Sequence, residues 1–245
     1  MQQPAKYFSK RLNSTNLYAV GLVSKETKKE PFWVRTDEQF AGKGQGSKTW
    51  ITEPGKNLTG TLVVFPEKFG ASDQFILSKT FALAASDFLE LFIENVSIKW
   101  PNDLYAKDKK IGGILIETAI LGNYIEHAIL GIGLNINQID FLKNIPNPIS
   151  LRLLTNIEYD LVELETLLID SFINKYSLLE AGRIDLINTQ YLDKLYRFEE
   201  FSEFKAGNEK FIAKITAVSE YGHLIVQTES GEVRTFAYQE IEYVL

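Results

Sequence analysis

Between Leu58 and Phe65 apolar residues alternate through Thr59, Thr61 and Val63, the two-residue period of a strand, and Pro66 closes the run. The period then changes. From about Ser72 to Glu94 the apolar positions Phe75, Ile76, Leu83, Phe88, Leu89 and Phe92 recur at spacings that share one helix face, with Ser72 placed to cap it. Three strand-like stretches follow, Val96 to Trp100, Ile111 to Ile120 and Tyr124 to Ile136, the last two joined by a turn over residues 121–124. Helical spacing returns over Leu161 to Leu179 and Ile184 to Tyr196. Upstream, Asn13-Ser14-Thr15-Asn16 offers short capping side chains ahead of a helix containing Leu17, Val20, Leu22 and Val23. Phe32-Trp33-Val34 reads as a strand and residues 39–57 as a loop rich in Gly, Lys and Ser; no element is predicted before residue 13.

From Phe198 the pattern shortens to alternating strands, Lys210 to Val218, His223 to Thr228 and Glu232 to Phe236. The chain is therefore expected to divide into an α/β domain over residues 1–197 and a small β unit over 198–245 that packs on it.

Composition narrows the chemistry. The 245 residues are 45% hydrophobic and 24% charged, which excludes disordered, collagen-like and coiled-coil classes. A formal net charge of −6 argues against a partner made of nucleic acid. With no cysteine and two histidines, disulfides, thiolate chemistry and multi-histidine metal sites are excluded. Catalysis must then rest on lysines, carboxylates, hydroxyls, amides or backbone dipoles. No signal-like N-terminus and no apolar stretch of the ~18–20 residues that span a membrane is present, so a cytoplasmic protein is expected.

Three segments concentrate candidate chemistry. Gly42-Lys43-Gly44-Gln45-Gly46-Ser47-Lys48-Thr49-Trp50 has the glycines and lysines of an anion-cradling loop, and equally the composition of a flexible surface loop. It comes one residue short of a P-loop, but Pro54 and Gly55 follow where that motif needs a helix. Lys99-Trp100-Pro101-Asn102-Asp103 leaves a strand with a lysine and a carboxylate, and Lys110-Ile111-Gly112-Gly113 sets a second lysine beside two glycines. Gly131-Ile132-Gly133-Leu134-Asn135-Ile136-Asn137 ends a strand with two amides on one face, suited to a purine edge, although a Gly-x-Gly also marks a bulge or close strand packing.

Together and in this order, Lys99 to Asp103, Lys110 to Glu117 and Gly131 to Asn137 resemble the biotin protein ligase family. Ser14-Thr15-Asn16 resembles that family's N-terminal ligand motif, and Gln39 with Gly42-Lys43-Gly44 and Trp50 its phosphate loop; the motifs cover most of residues 11–151. The resemblance implies a mixed-sheet α/β fold of the class II aminoacyl-tRNA synthetase and biotin ligase type, followed by a small SH3-like β-barrel. It implies a two-step reaction in which biotin and ATP give biotinyl-5′-AMP and pyrophosphate, and a carrier lysine then takes the biotinyl group. ATP and Mg²⁺ would be the cofactors, and a biotin carboxyl carrier protein or domain of acetyl-CoA or pyruvate carboxylase the partner; a homodimer is left open.

Carried over by position, the resemblance makes Lys110, Asp103 and Lys43 the catalytic groups, Lys110 by neutralising charge between the biotin carboxylate and the α-phosphate. Ser14, Thr15, Gln39, Gly42, Lys43, Lys110, Gly113 and Gly131 would hold biotin. Lys43, Gly44, Gln45, Trp50, Lys99, Asn102 and Asn135 would hold ATP. No protein metal site is implied beyond Mg²⁺ on the phosphates, with Asp103 either orienting a lysine or joining that ion.

The departures are specific. Lys43 stands where the family has arginine, keeping charge but losing the planar fork, and Gly46 and Ser47 replace a frequent arginine and glycine. Ala237-Tyr238-Gln239-Glu240-Ile241 stands for a family Gly-Gly-Glu-Ile, so Glu240 alone carries over. The segment before Asn13 is too short for the family's DNA-binding domain, so a repressor role is not expected. Two alternatives accompany this reading: a lipoate-type acyl-protein ligase, and a biotin or adenylate binder without turnover.

Overall fold

The computed structural model describes residues 1–25, 29–67, 69–143 and 145–244. Seven strands build the main sheet: β1 (Ala5–Leu12), β2 (Phe32–Gln39), β3 (Leu58–Val64), β4 (Val96–Lys99), β5 (Asp103–Ala106), β6 (Lys109–Leu121) and β7 (Tyr124–Leu134). They lie in the order β1-β2-β3-β7-β6-β5-β4. The sheet is mixed, since β1 runs parallel to β2 and every other pairing is antiparallel.

Strand β3 shows why both faces are covered. Leu58, Leu62 and Val64 enter the main core while Val63 enters a smaller one, and all seven residues of the strand are buried. The main core lies beneath α2 (Gln74–Leu89), α4 (Leu161–Glu180) and α5 (Ile184–Asp193). Phe81 of α2 meets Phe172 of α4 edge to face at 5.0 Å, and each ring fully buried contributes roughly 1.5–3 kcal/mol. Asp160 caps α4 by accepting from the amides of Val162 at 2.7 Å and Glu163 at 3.3 Å. The smaller core gathers Leu12, Phe32, Val34, Val63 and Ile129 beneath Ala19 of α1 (Thr15–Val23).

The periodicities placed most elements, with shifted ends. The long helical stretch divides into a short 3₁₀ turn, Ala71–Asp73, and α2, which ends at Leu89 with Glu90 as its cap residue; Asn95, at a left-handed φ of 59°, then leads into β4. Asp73 rather than Ser72 accepts the Gly70 amide, at 2.8 Å. Pattern reading misses β1, β5, the five-residue α3 (Leu151–Thr155), and two strands of the C-terminal unit. β1 escapes because it is an edge strand with charged, mostly exposed positions and no apolar alternation.

The C-terminal strands are β8 (Ser202–Ala206), β9 (Glu209–Val218), β10 (Leu224–Thr228), β11 (Val233–Phe236) and β12 (Glu242–Tyr243). They pair in the order β11-β10-β9-β8-β12. Among the described residues nothing joins β11 to β12, so the unit is an open sheet and not the closed barrel that the resemblance implied. With two residues, β12 is too short to close it. The unit is attached to the main sheet where Trp100 Nε1 donates to the Gly222 carbonyl at 2.8 Å and Phe75 fills the space beside Gly222.

Candidate active site

Strand register assembles the site. One rung of paired residues crosses the sheet from Ser9 through Thr36, Thr59, Gly133, Gly113 and Asp103 to Lys99. Paired residues in a sheet point to the same side, and this rung faces the α1 layer, as Val63 and Ile129 show. Its centre is two glycines, a gap in the layer of side chains bordered by hydroxyls on one side and by charge on the other.

The Lys110 ammonium reaches Asp103 Oδ1 at 2.5 Å, beside Gly113. Both partners are about a quarter exposed, so the pair meets water on one side. Lys110 is held from behind: its amide donates to Asn147 and its carbonyl accepts from Ile149. Trp50 closes the other side. Its indole occupies the space a Cβ on Gly133 would need, and the Lys110 Nζ lies 5.8 Å from the ring centre. The Trp50 Nε1 proton donor and the Gln45 Oε1 acceptor are buried without hydrogen-bond partners among the described residues. Such groups are costly in a finished protein interior and mark a surface that a polar ligand would complete.

A second cluster sits at the start of α1. The Gln39 carbonyl oxygen accepts from the Thr15 amide at 2.7 Å and from the Thr15 hydroxyl at 3.0 Å. These bonds set the polarity of both side chains. The Gln39 amide nitrogen is left as a donor, aimed toward Gly42, and the Thr15 oxygen, its proton committed, is left as an acceptor. Ser14 is the N-cap residue of α1, buried, with no capping bond from its side chain.

Asn16, which the sequence motif contained without a role, stands within this cluster. Its amide donates to Glu117 Oε2 at 2.8 Å and accepts from the Thr61 hydroxyl at 2.7 Å. A Cβ on Gly131 would run into that amide, so Gly131 makes room for Asn16 rather than opening onto the cavity directly. Glu117 is likewise a residue that motif reading named only as the last position of the Lys110–Glu117 segment. Its signal is a carboxylate on an otherwise apolar run, Ile114-Leu115-Ile116-Glu117.

Other expected ligand residues are placed differently. Asn102 donates to the Ile114 carbonyl at 2.6 Å and pins its own turn to β6. Asn135 donates to the Ile149 carbonyl at 3.1 Å, and Asn137 spends both ends of its amide on the Tyr159 backbone. Asn137 therefore has no free edge for a purine, whereas the Asn135 side-chain carbonyl oxygen accepts no hydrogen bond among the described residues. Lys43 is exposed on the loop, which folds back on itself through Gly44 to Lys48 and Trp50 to Gly42 backbone bonds of 2.8 and 2.9 Å. The loop tip rests on the C-terminal unit, for a Cβ on Gly46 would come within 3.0 Å of the Gln239 amide. Gln239 itself holds a φ of 74° at the position of a family glycine, and Glu240 accepts from the Ala237 amide at 2.7 Å to close that turn.

Lys99 ends the rung. Its ammonium donates to the Tyr105 hydroxyl at 3.2 Å and lies over the rings of Tyr105 and Tyr243 at 5.0 and 4.8 Å. Burial lowers its pKa to about 8; Asp103 opposes the shift, while Lys110, Arg197 and Lys48 add to it. Among the described residues no group of three or more His, Cys, Asp or Glu side chains could hold a metal. Asp103, already paired to Lys110, is a single carboxylate, which fits Mg²⁺ carried by nucleotide oxygens and not a protein-built metal site.

Known proteins resemble this chain in sequence and in fold. Residues 8–135 match the biotin/lipoate A/B protein ligase family. A biotin–[acetyl-CoA-carboxylase] ligase of Paracoccus denitrificans is 39% identical over 107 residues, 42% of this chain and 44% of that protein. The bifunctional ligase/repressor of Escherichia coli strain K12 is 30% identical over 125 residues, 51% of this chain and 38% of its own length. Each match thus spans less than half of the relative. Over almost the whole chain the fold is that of the Aquifex aeolicus biotin protein ligase in complex with biotin and ATP, with a TM-score of 0.80, 21% identity, and coverage of 98% of this chain and 99% of that one. With the matched segment holding Thr15, Gln39, the glycine rung and the Lys110–Asp103 pair, the chain belongs to the biotin/lipoate A/B protein ligase family.

Proposed function

We propose that this protein is an ATP-dependent biotin protein ligase. The observation that carries the reading is the Lys110–Asp103 pair at the glycine gap, with Trp50 on one side and the Thr15–Gln39 cluster within the same layer. A cyclic urea has a carbonyl that needs donors and N–H groups that need acceptors. The Gln39 amide nitrogen supplies the first and the Thr15 oxygen the second, with Ser14 beside them. The biotin tail then runs along Gly113 toward Lys110.

In the first step a biotin carboxylate oxygen attacks the α-phosphorus of ATP, and the bond to the β,γ-diphosphate breaks, releasing pyrophosphate. Both reactants are anions, so the step needs cations placed in advance. Lys110 lies between the two charges and Asp103 fixes its position; Mg²⁺ on the triphosphate would offset the remaining charge. In the second step the neutral ε-amine of a carrier lysine attacks the mixed-anhydride carbonyl, AMP leaves, and the amine proton passes to solvent or to the phosphate. The orphaned Trp50 N–H and Gln45 carbonyl lie on the loop that would cover the adenylate.

The division at residue 197, the further ligand roles of Lys43, Gly42, Gly44, Lys99 and Asn135, and a cytoplasmic carboxylase carrier as partner belong to the same proposal. The Paracoccus relative's name specifies acetyl-CoA carboxylase. The test is incubation with biotin, ATP, Mg²⁺ and a biotin carboxyl carrier domain, reading carrier mass. A gain of one biotinyl group with lipoate inert supports the reading. Lipoate transfer instead would assign the chain to the lipoate branch, and binding without pyrophosphate release would make it a biotin-binding protein.

A further inference from the structure

We propose that Tyr243 of β12, together with Tyr105 of β5, is a positioning residue that holds the Lys99 ammonium at the end of the rung, which makes the C-terminal sheet a working wall of the site. This inference rests on the ligase reading for its substrate, the β,γ-diphosphate end of ATP.

Lys99 is paired across the β4–β5 hairpin with Asp103, yet the Asp103 carboxylate is taken by Lys110. What holds Lys99 instead is a hydroxyl and two ring faces. Ring faces attract a cation without cancelling its charge, so the ammonium is fixed in place and still available to an anion. Tyr105 is buried and Tyr243 half-buried, and Tyr196, which lies between them at 5.2 and 6.1 Å, makes the three rings one cluster. The Tyr243 hydroxyl is buried without a partner among the described residues, so its contribution is the ring and not the hydroxyl.

Position along the sheet gives the substrate end. Lys99 lies on β4, two strands from Gly113 on β6, or ~10 Å at the spacing of neighbouring strands. The Lys99 side chain spans part of that distance toward phosphates extending from an α-phosphate held at the Lys110–Asp103 pair, whose Asp103 lies on the strand between. Asp103, Lys110, Lys48 and Arg197 are the charged groups that act on Lys99, three of the four positive, and Tyr105 and Tyr243 are the titratable groups packed against it. The same C-terminal segment also touches the phosphate loop, through Gln239 and Gly46. One short stretch, residues 238–243, thereby touches both the loop and the lysine.

The experiment uses the full chain and biotin-dependent pyrophosphate release. Tyr243→Leu should raise the KM for ATP about tenfold and leave the KM for biotin within twofold, and Tyr243→Phe, which keeps the ring, should restore the ATP value. Tyr105→Phe, a milder change should the leucine variant fold poorly, should raise the ATP KM about threefold. A second readout needs no turnover: the pH dependence of Lys99 acylation by an amine reagent, followed by peptide mass. The wild-type midpoint near pH 8 should move downward in Tyr243→Leu, because the ring face favours the charged ammonium and leucine does not. An unchanged ATP KM, or a Lys99 midpoint that stays or rises, in folded Tyr243→Leu would overturn the clamp. Absence of pyrophosphate release by the wild type would overturn the ligase reading instead, with the acylation profile still deciding the clamp.

Discussion

Lys110 Nζ and Asp103 Oδ1 meet at 2.5 Å across adjacent antiparallel strands, beside a glycine that leaves the pair open to a ligand. A lysine held in this way is oriented before substrate arrives, so little reorganisation is needed when charge develops. Lys110→Ala should therefore retain biotin binding and lose adenylate formation by about a hundredfold or more. Asp103→Asn, which keeps the shape and frees the ammonium, should lose less. Biotin titration beside pyrophosphate release measures both, and undiminished adenylation by Lys110→Ala would remove the assigned role.

Gly131 has no free space above it, because the Asn16 amide stands there, oriented by Glu117 and Thr61. Gly131→Ala should displace Asn16 and with it the first turn of α1, raising the Kd for biotin by roughly tenfold, at a cost of about 1–3 kcal/mol in stability for overpacking. Calorimetric titration and a thermal melt report the two effects separately. Unaltered biotin affinity would place the ligand elsewhere.

The loop over residues 42–49 is tied to itself and to the tip of the C-terminal unit, and it carries an unsatisfied buried acceptor in Gln45. Biotin and ATP together should complete that acceptor and protect the loop, slowing cleavage after Lys43 and Lys48 by trypsin several-fold. Equal cleavage rates with and without ligands would count against a covering loop.

Lys79 is a buried cation of α2 whose ammonium donates to Asn188 at 2.8 Å and lies over the Phe75 and Tyr191 rings, with no carboxylate paired to it among the described residues. Burial lowers its pKa from 10.5 to about 8. Between those values the unfolded chain binds more protons than the folded one, so the lysine's contribution to stability rises with pH from about 8 to 10.5. Below pH 8 its cost is fully present. Lys79→Met, which keeps the length without the charge, should raise the Tm at pH 7 by about 2–4 °C, corresponding to ~1 kcal/mol, and flatten this part of the pH profile. A lowered Tm would show that the Asn188 bond outweighs the burial.

The candidate chemistry was legible in the order of short motifs, because three segments in sequence set lysines, amides and glycines at strand ends. What those motifs left open was their connection. Asn135 and Asn102 looked like ligand amides, but backbone carbonyls without sheet partners claim their donors. Asn16 and Glu117 looked incidental, and the fold joins them across 101 residues of sequence. Tyr243 carried no motif at all, since its importance comes from where a two-residue strand ends.

Local pattern by itself determined where β3, α2, β6, β7 and α4 lie, since apolar period reflects which faces must leave water. It also determined the chemical means: lysines, amides and carboxylates in the absence of cysteine. Only the tertiary structure decided the rung, since register pairs residues far apart in sequence and a slip of one position would have turned Gly113, Gly133 and Asp103 to the opposite face. It decided too that the C-terminal strands form an open sheet reaching Lys99, because closure depends on pairing between strand ends that no short stretch of sequence encodes.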